Sequence, residues 1–349
     1  MTPVFINRIA TAVPDYDIHH KFIDYGPRLL PDQRSVKVFQ RMAERAQIAH
    51  RYSFLKPHSD NDKLDEDGFY DNEAFPDTHA RMQFYERYAF TLARRALDQL
   101  DLSGVTHLIT TTCTGFYAPG LDHQLIHHYG LATHIERTNV GFMGCYAAIN
   151  GLKMARHIVR SEPHARVLVL NLELCTLHLK PAGTLEEILS FALFADGCAA
   201  SIVSAQPAGL EMHCFNADVL PETDALITWR VGNQGFDMQL SGKVPGAIAQ
   251  HLPRVLNTLL GGYRHADIAH WAIHPGGRTV LDGVKAGAEL EEQQLMASRE
   301  VLSQFGNMSS ATIMFVLQKM MNNQKPGPGL AIAFGPGVTV ESMLFELKE

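Results

Sequence analysis

Residues 105–115 read VTHLITTTCTG, and residues 266–276 read ADIAHWAIHPG. Each is an apolar run ending in a glycine turn, the pattern of a buried strand that delivers its last side chain to a loop-bearing sheet end. The second stretch lies 161 residues after the first, so Gly115 falls on Gly276 and Cys113 on His274. The register returns in GCYAAINGLKMA from Gly144 and GNMSSATIMFVLQKM from Gly306, 162 residues apart, which places Cys145 on Asn307. A third pair, VLVLNLE from Val167 and LAIAFGP from Leu330, is 163 apart, a drift that one small loop insertion explains. Three segments in one register predict an internally duplicated chain.

The elements around these anchors set the fold class. ARMQFYERYAFTLARRALDQL (80–100) has apolar residues at helical spacing, and YAAINGLKMARHIVR (146–160) is a second helix. VLVLNLEL (167–174) is apolar almost throughout, as expected of a strand covered by helices on both sheet faces. Strand and helix alternate, which predicts an α/β fold in two related halves, 1–205 and 206–349. The first 90 residues are polar and irregular, and SDNDKLDEDGFYDNEAFPD (59–77) reads as an acidic surface loop.

Composition limits the function classes. The chain has 349 residues, 46% hydrophobic and 19% charged, enough to build a substantial core. A formal net charge of −7 gives no general attraction to nucleic acid or anionic membrane, although a local basic patch could still bind an anionic ligand. No apolar run approaches the roughly 18 residues of a spanning helix, and no basic-then-apolar leader is present, so a cytoplasmic protein is expected. Five cysteines without a CxxC pair argue for free thiols over disulfides or a zinc ribbon. Asp122, His123 and His127 have helix-compatible spacing for a metal, but a closed site needs more ligands, and no metal is expected.

The candidates for chemistry sit on the duplicated anchors. Cys145 follows a glycine and opens a helix, where unpaired backbone N–H groups and the macrodipole would favour a thiolate. The same position equally suits a small core residue. His274 leaves a strand end just before Pro-Gly-Gly, and Asn307 stands at a helix start, where N-capping is the commonest use of asparagine. The duplication is what gives them joint weight, because it stacks the two helix starts about a pseudo-twofold axis with His274 alongside.

The segments GCYAAINGLKMAR, WAIHPGG, FGNMSSA, LFADGCAAS and FGPGVTVE resemble, in order and spacing, the motif set of the chalcone synthase and type III polyketide synthase family, and the likeness runs from about Gln40 to the C-terminus. The resemblance implies a thiolase-like, five-layered αβαβα fold and a homodimer. It also implies an iterative decarboxylative Claisen condensation of an acyl-CoA starter with malonyl-CoA, with no cofactor beyond the CoA thioesters. Cys145 would carry the acyl chain, His274 would activate it, and His274 with Asn307 would hold the malonyl thioester oxygen. Phe194 would be the gatekeeper, with Cys113, Thr114, Cys175, His178 and Gly235 around the cavity. Lys37, Arg41 and Arg45 would bind CoA phosphates, although Val38 stands where plant members carry a lysine. Cys113, Thr114, Cys175, His178 and Ala118 depart from plant chalcone synthases toward bacterial members, which implies an aliphatic starter and a pyrone or resorcinol product. A β-ketoacyl-acyl-carrier-protein synthase is the nearest alternative. A biosynthetic thiolase would want a further cysteine in the C-terminal half, and a histidine-rich metal-binding or non-catalytic protein is the alternative of another class.

Overall fold

The computed structural model describes residues 2–70, 75–180, 184–323 and 325–348. Its frame is a nine-stranded sheet: β1 (Phe5–Ala12), β2 (His107–Thr112), β3 (Glu136–Gly141), β4 (Val167–Leu174), β5 (Asp196–Ser204), β6 (Leu210–Val219), β7 (His270–Ile273), β8 (Gly327–Gly335) and β9 (Thr339–Leu347). The spatial order is β7-β8-β9-β6-β1-β5-β4-β2-β3. On one side β2 and β4 pair in parallel, then β4, β5 and β1 pair antiparallel. On the other side β7 and β8 pair in parallel, then β8, β9 and β6 pair antiparallel. The two arms repeat each other and meet where Phe5 faces Glu211 and Ile6 faces Leu210. The duplication in the sequence is thus a duplication of pairing pattern.

Burial explains why the strands read as continuous apolar runs. All eight residues of β4 are buried. Val167 and Val169 join the central core, while Leu168, Leu170 and Leu172 join a second core on the opposite face. In β8, Ala331 and Ala333 face the central core and Leu330, Ile332 and Phe334 face a third. The central layer holds α3 (Ala147–Ser161) and α6 (Thr312–Asn323), through Ile149, Leu152, Ile313 and Leu317. The outer layers are α2 (Thr78–Leu97) against the first arm, and α4 (Val244–Leu259) with α5 (Arg278–Gly287) against the second. Helix, sheet, helix, sheet and helix make the αβαβα order.

Two further pieces complete the frame around the site. A hairpin, Ile227–Gly232 with Gly235–Leu240, lies outside the large sheet. The polar N-terminal region contains α1 (Gln33–Ala46), capped by the Asp32 carboxylate accepting from the Ser35 N–H at 2.8 Å. Part of the acidic 59–77 stretch, residues 71–74, lies outside the described residues. Among the described residues no helix is long and apolar enough to cross a membrane.

Candidate active site

The ends of β2 and β7 and the starts of α3 and α6 converge on one cavity of ≈ 810 Å³, its open mouth included. Cys145, His274 and Asn307 all line it, with Cys113, Thr114 and Cys175. Cys145 lies in a 3-10 turn, Gly144–Tyr146, that feeds α3. Gly144 has φ 78°, and the Pro336 ring occupies the space a Cβ would need, so only glycine permits the turn. The Gly144 N–H donates to Cys113 Sγ at 3.0 Å. His274 directly follows β7 and is anchored by its own N–H donating to the Ile332 carbonyl at 2.8 Å.

Asn307 does more than cap a helix. Its Oδ1 accepts from the Ser309 N–H at 2.9 Å and the Thr312 hydroxyl at 3.4 Å, which fixes the amide so that Nδ2 donates to the Gly276 carbonyl at 3.2 Å. The capping contact therefore orients the NH2 group. The Ser309 and Asn307 side chains also favour the thiolate form of Cys145.

Electrostatics here reverse one expectation from sequence. Burial pushes the Cys145 thiol up to about 12, against hydrogen bonds from Ser309 and Asn307 that favour the thiolate. The field of one helix start, about 0.3–2 kcal/mol, does not offset that desolvation. Burial also holds the His274 imidazole down at about 3. Taken singly, each group is neutral at pH 7. An imidazole that lines the same cavity is a chemically suitable acceptor for a thiol proton. Neither His274 ring nitrogen has a hydrogen-bond partner among the described residues, and the residue is 1% exposed. With both nitrogens unpartnered, one is left to accept a proton and the other to donate one to a bound oxygen.

The other sequence candidates divide. Phe194 lines the cavity and is bridged through its backbone to Asn307, whose N–H donates to the Leu193 carbonyl at 2.8 Å. His178 and Gly235 are absent from the lining. His178 Nδ1 accepts from the Phe236 N–H at 3.0 Å, which leaves Nε2 to donate to the Thr114 carbonyl at 2.7 Å. It stacks on Phe236 at 4.3 Å, with burial holding its pKa down at about 3, and so acts as a strut between cavity wall and hairpin. Gly235 has φ 84° at the hairpin turn, where a Cβ would lie 2.8 Å from Arg81 Cδ. The hairpin instead presents Ile227, Trp229, Met238 and Leu240 to the cavity, and Trp229 Nε1 donates to the Cys113 carbonyl at 2.7 Å.

Lys37, Arg41 and Arg45 lie exposed on α1, outside the cavity lining. Lys37 and Arg41 line an open surface pocket with Val38. Arg278 Nη1 donates to the Arg45 carbonyl at 3.0 Å, and Arg278 stands between the cavity residues Gly276 and Val280. The end of α1 is therefore fastened beside the cavity. Of the metal candidates, the Nε2 atoms of His123 and His127 lie 3.3 Å apart, but Asp122 is paired with Arg137 at 2.9 Å.

Glu173 was missed by sequence reasoning. It is the one acid in the apolar run VLVLNLEL, which is the signal that could have found it. One carboxylate oxygen accepts from the Cys113 N–H at 2.9 Å and the Thr114 hydroxyl at 2.8 Å, the other from the Ser310 hydroxyl at 2.5 Å. Burial raises its pKa to about 7. It ties the end of β2 to the turn after Asn307, behind the cavity.

Helix and sheet layers thus surround a cavity lined by three thiols, Cys113, Cys145 and Cys175. Residues 9–207 match the N-terminal domain of chalcone and stilbene synthases and residues 211–347 match the C-terminal domain. The chain is 34% identical over 286 residues, 76% of this chain and 73% of the relative, to "Alpha-pyrone synthesis polyketide synthase-like Pks18" of Mycobacterium tuberculosis. It is 32% identical over 336 residues, 88% of this chain and 81% of the relative, to bisdemethoxycurcumin synthase of Oryza sativa subsp. japonica. Its fold superposes with TM-score 0.90, at 24% identity and 99% coverage of both chains, on the C-terminal type III polyketide synthase domain of Steely1 from Dictyostelium. The chain belongs to the chalcone and stilbene synthase family, the type III polyketide synthases.

Proposed function

We propose that the chain extends an aliphatic acyl-CoA starter with malonyl-CoA through an acyl-Cys145 intermediate. The observation that carries this reading is the convergence of Cys145, His274 and Asn307 on one cavity. The Cys145 sulfur attacks the starter thioester while His274 takes its proton, CoA leaves as the free thiol with that proton returned to it, and an acyl-enzyme remains. The malonyl thioester oxygen then faces the His274 N–H and the Asn307 amide. Loss of carbon dioxide gives an enolate whose oxyanion these donors stabilise, each donor being worth about 3 kcal/mol. The enolate carbon attacks the acyl-Cys145 carbonyl, the sulfur leaves, and the chain is two carbons longer. CoA thioesters are the only reactants this cycle needs.

The fit to an aliphatic starter rests on the walls. Ile227, Met238, Leu240, Val244 and Phe334 make them largely apolar, and each buried methylene contributes about 0.8 kcal/mol. Two or three extensions with release as an α-pyrone, or as a resorcinol-type ring, follow from that reading, and the pyrone is favoured by the likeness to Pks18, whose name carries alpha-pyrone synthesis. Halves 1–205 and 206–349 are taken as the units of duplication. A homodimer fits the exposed aromatic patch of Phe116 and Phe142 beside Met143 and the exposed strand β3, and light scattering would measure it.

Incubation with malonyl-CoA and acetyl, hexanoyl, lauroyl, palmitoyl, benzoyl or p-coumaroyl CoA, with products identified by mass spectrometry, tests the reading. Turnover of the aliphatic starters to triketide or tetraketide pyrones is expected. Efficient turnover of p-coumaroyl-CoA alone, or of malonyl-CoA without starter, would contradict it.

A further inference from the structure

Behind the cavity wall a single cation touches both the Phe194 segment and the segment that leads into Asn307. Arg51 is 1% exposed, and its guanidinium keeps its charge at pH 7, because burial lowers its pKa only to about 10 while Asp17 and Asp196 oppose the shift. Nη1 donates to the Phe191 carbonyl at 2.7 Å and to the Phe194 carbonyl at 2.8 Å. Nε donates to His19 Nδ1 at 3.0 Å, and Nη2 has no partner among the described residues. The charge is thus committed to the two carbonyls that bracket residues 191–194, and Phe191 and Phe194 both line the cavity.

The stem of the same side chain supports Asn307. Gly306 has φ 68°, and a Cβ there would stand 2.8 Å from Arg51 Cγ and 2.9 Å from the Leu193 carbonyl. The turn therefore lies directly on the arginine. The next residue is bound to the 191–194 segment and to the residue just after it, Asn307 N–H donating to the Leu193 carbonyl at 2.8 Å and Ala195 N–H to the Asn307 carbonyl at 2.9 Å. The backbone of Arg51 is itself fixed: its N–H donates to Asp17 Oδ1 at 3.1 Å, and its carbonyl accepts from the Ile18 N–H at 2.8 Å. Ala49 and His50, just before it, donate to the Ser303 carbonyl in the helix that leads into Gly306.

We propose that Arg51 is a positioning residue that sets the placement of the Phe194 ring and the Asn307 amide together. It touches no substrate. Its charge holds the carbonyls of the gate segment, and its stem and the gate segment hold the turn from which Asn307 projects. A displacement of about 1 Å in a donor can cost about 100-fold in rate, so a clamp of this kind acts on the chemical step more than on CoA binding. The inference rests on the role proposed above for Asn307 and on the gatekeeper role that the family resemblance implies for Phe194.

The test uses the full-length enzyme and the variants Arg51→Met, Arg51→Lys, Asn307→Ala and Leu92→Ala. Leu92 is a fully buried residue of α2 and serves as a control for lost stability alone. For folded Arg51→Met, kcat for malonyl-CoA decarboxylation should fall about 10- to 100-fold with KM within about twofold, and the spread of product lengths should broaden. Arg51→Lys should recover part of the kcat, and Leu92→Ala, at a similar loss of Tm, should leave kcat and products unchanged. If Arg51→Met does not fold, Arg51→Lys decides: a kcat loss of more than about threefold at constant KM supports the clamp, since an ammonium does not reproduce a planar fork. Wild-type kcat and products in the deciding variant, or an equal kcat loss in Leu92→Ala, overturns the proposal. Wild-type decarboxylation by Asn307→Ala would instead overturn the proposed role of Asn307 itself, and loss in Asn307→Ala with none in Arg51→Met would overturn only the clamp.

Discussion

Cys145 and His274 are held neutral by the same cause, burial, which raises the thiol to about 12 and lowers the imidazole to about 3. A reactive sulfur at neutral pH therefore depends on the partner that accepts its proton. In His274→Ala that acceptor is gone, while burial and the nearby Glu173 still push the thiol up. Alkylation of Cys145 by iodoacetamide at pH 7.5 should then be at least about tenfold slower than in the wild type. Equal rates would remove His274 as the proton acceptor. Sequence position made Cys145 a candidate and gave the wrong sign for the resting thiol, because a helix start is visible in a sequence and the depth of a cavity is not. His178 and Gly235 were misplaced for a related reason. Which side of a strand end faces a cavity depends on the hairpin that covers it, and nothing local in LELCTLH announces Phe236.

Among the elements, α1 has the clearest separable job. Arg34, Lys37, Arg41 and Arg45 are exposed along it, in a chain of net charge −7, and none has an ion-pair partner in the described salt bridges. Their charge has no structural pairing to lose, so reversing it should spare the fold. Arg41→Glu with Arg45→Glu should raise the KM for malonyl-CoA at least about fivefold, keep kcat near wild type, and flatten the salt dependence of KM, as expected when screened phosphate contacts are removed. An unchanged KM would take CoA recognition away from this helix. The strands and the helices of the central layer were legible because full burial on two faces leaves an unbroken apolar record, as in Val167–Leu174. The 3-10 turns Gly144–Tyr146 and Ser309–Ala311 were not, since they differ from a helix start only in how tightly the first turn winds.

For the molecule as a whole, the buried titratable groups set a pH profile of stability. His19, His178 and His274 are each held at about 3, below their unfolded value, so the unfolded chain binds more protons between about pH 3 and 6.5 and stability falls as pH drops through that window. Glu173 and Asp196 are each raised to about 7, so the folded chain binds more protons from their unfolded values up to 7 and stability falls as pH rises toward 7. Below 6.5 the three histidines outweigh the two carboxyls, and above it the unfolded imidazoles lose their protons while the folded carboxyls still hold theirs. Tm should therefore peak near pH 6.5, decline slightly to about 7 and fall steeply below about 4.5. A maximum at pH 4.5 would contradict these burial assignments. At this scale the sequence was most informative, because an offset of 161 to 163 residues records the symmetric sheet that unites the arms, whereas Arg51 and Glu173 act through contacts between distant segments that no offset encodes.

The direct test of Cys145 as the acyl carrier is peptide mass spectrometry of the enzyme after brief incubation with hexanoyl-CoA and no malonyl-CoA. One acyl group on the peptide containing Cys145, lost in Cys145→Ala, is the expected result. Acylation of Cys113 or Cys175 with Cys145 unmodified, although all three thiols line the same cavity, would contradict it.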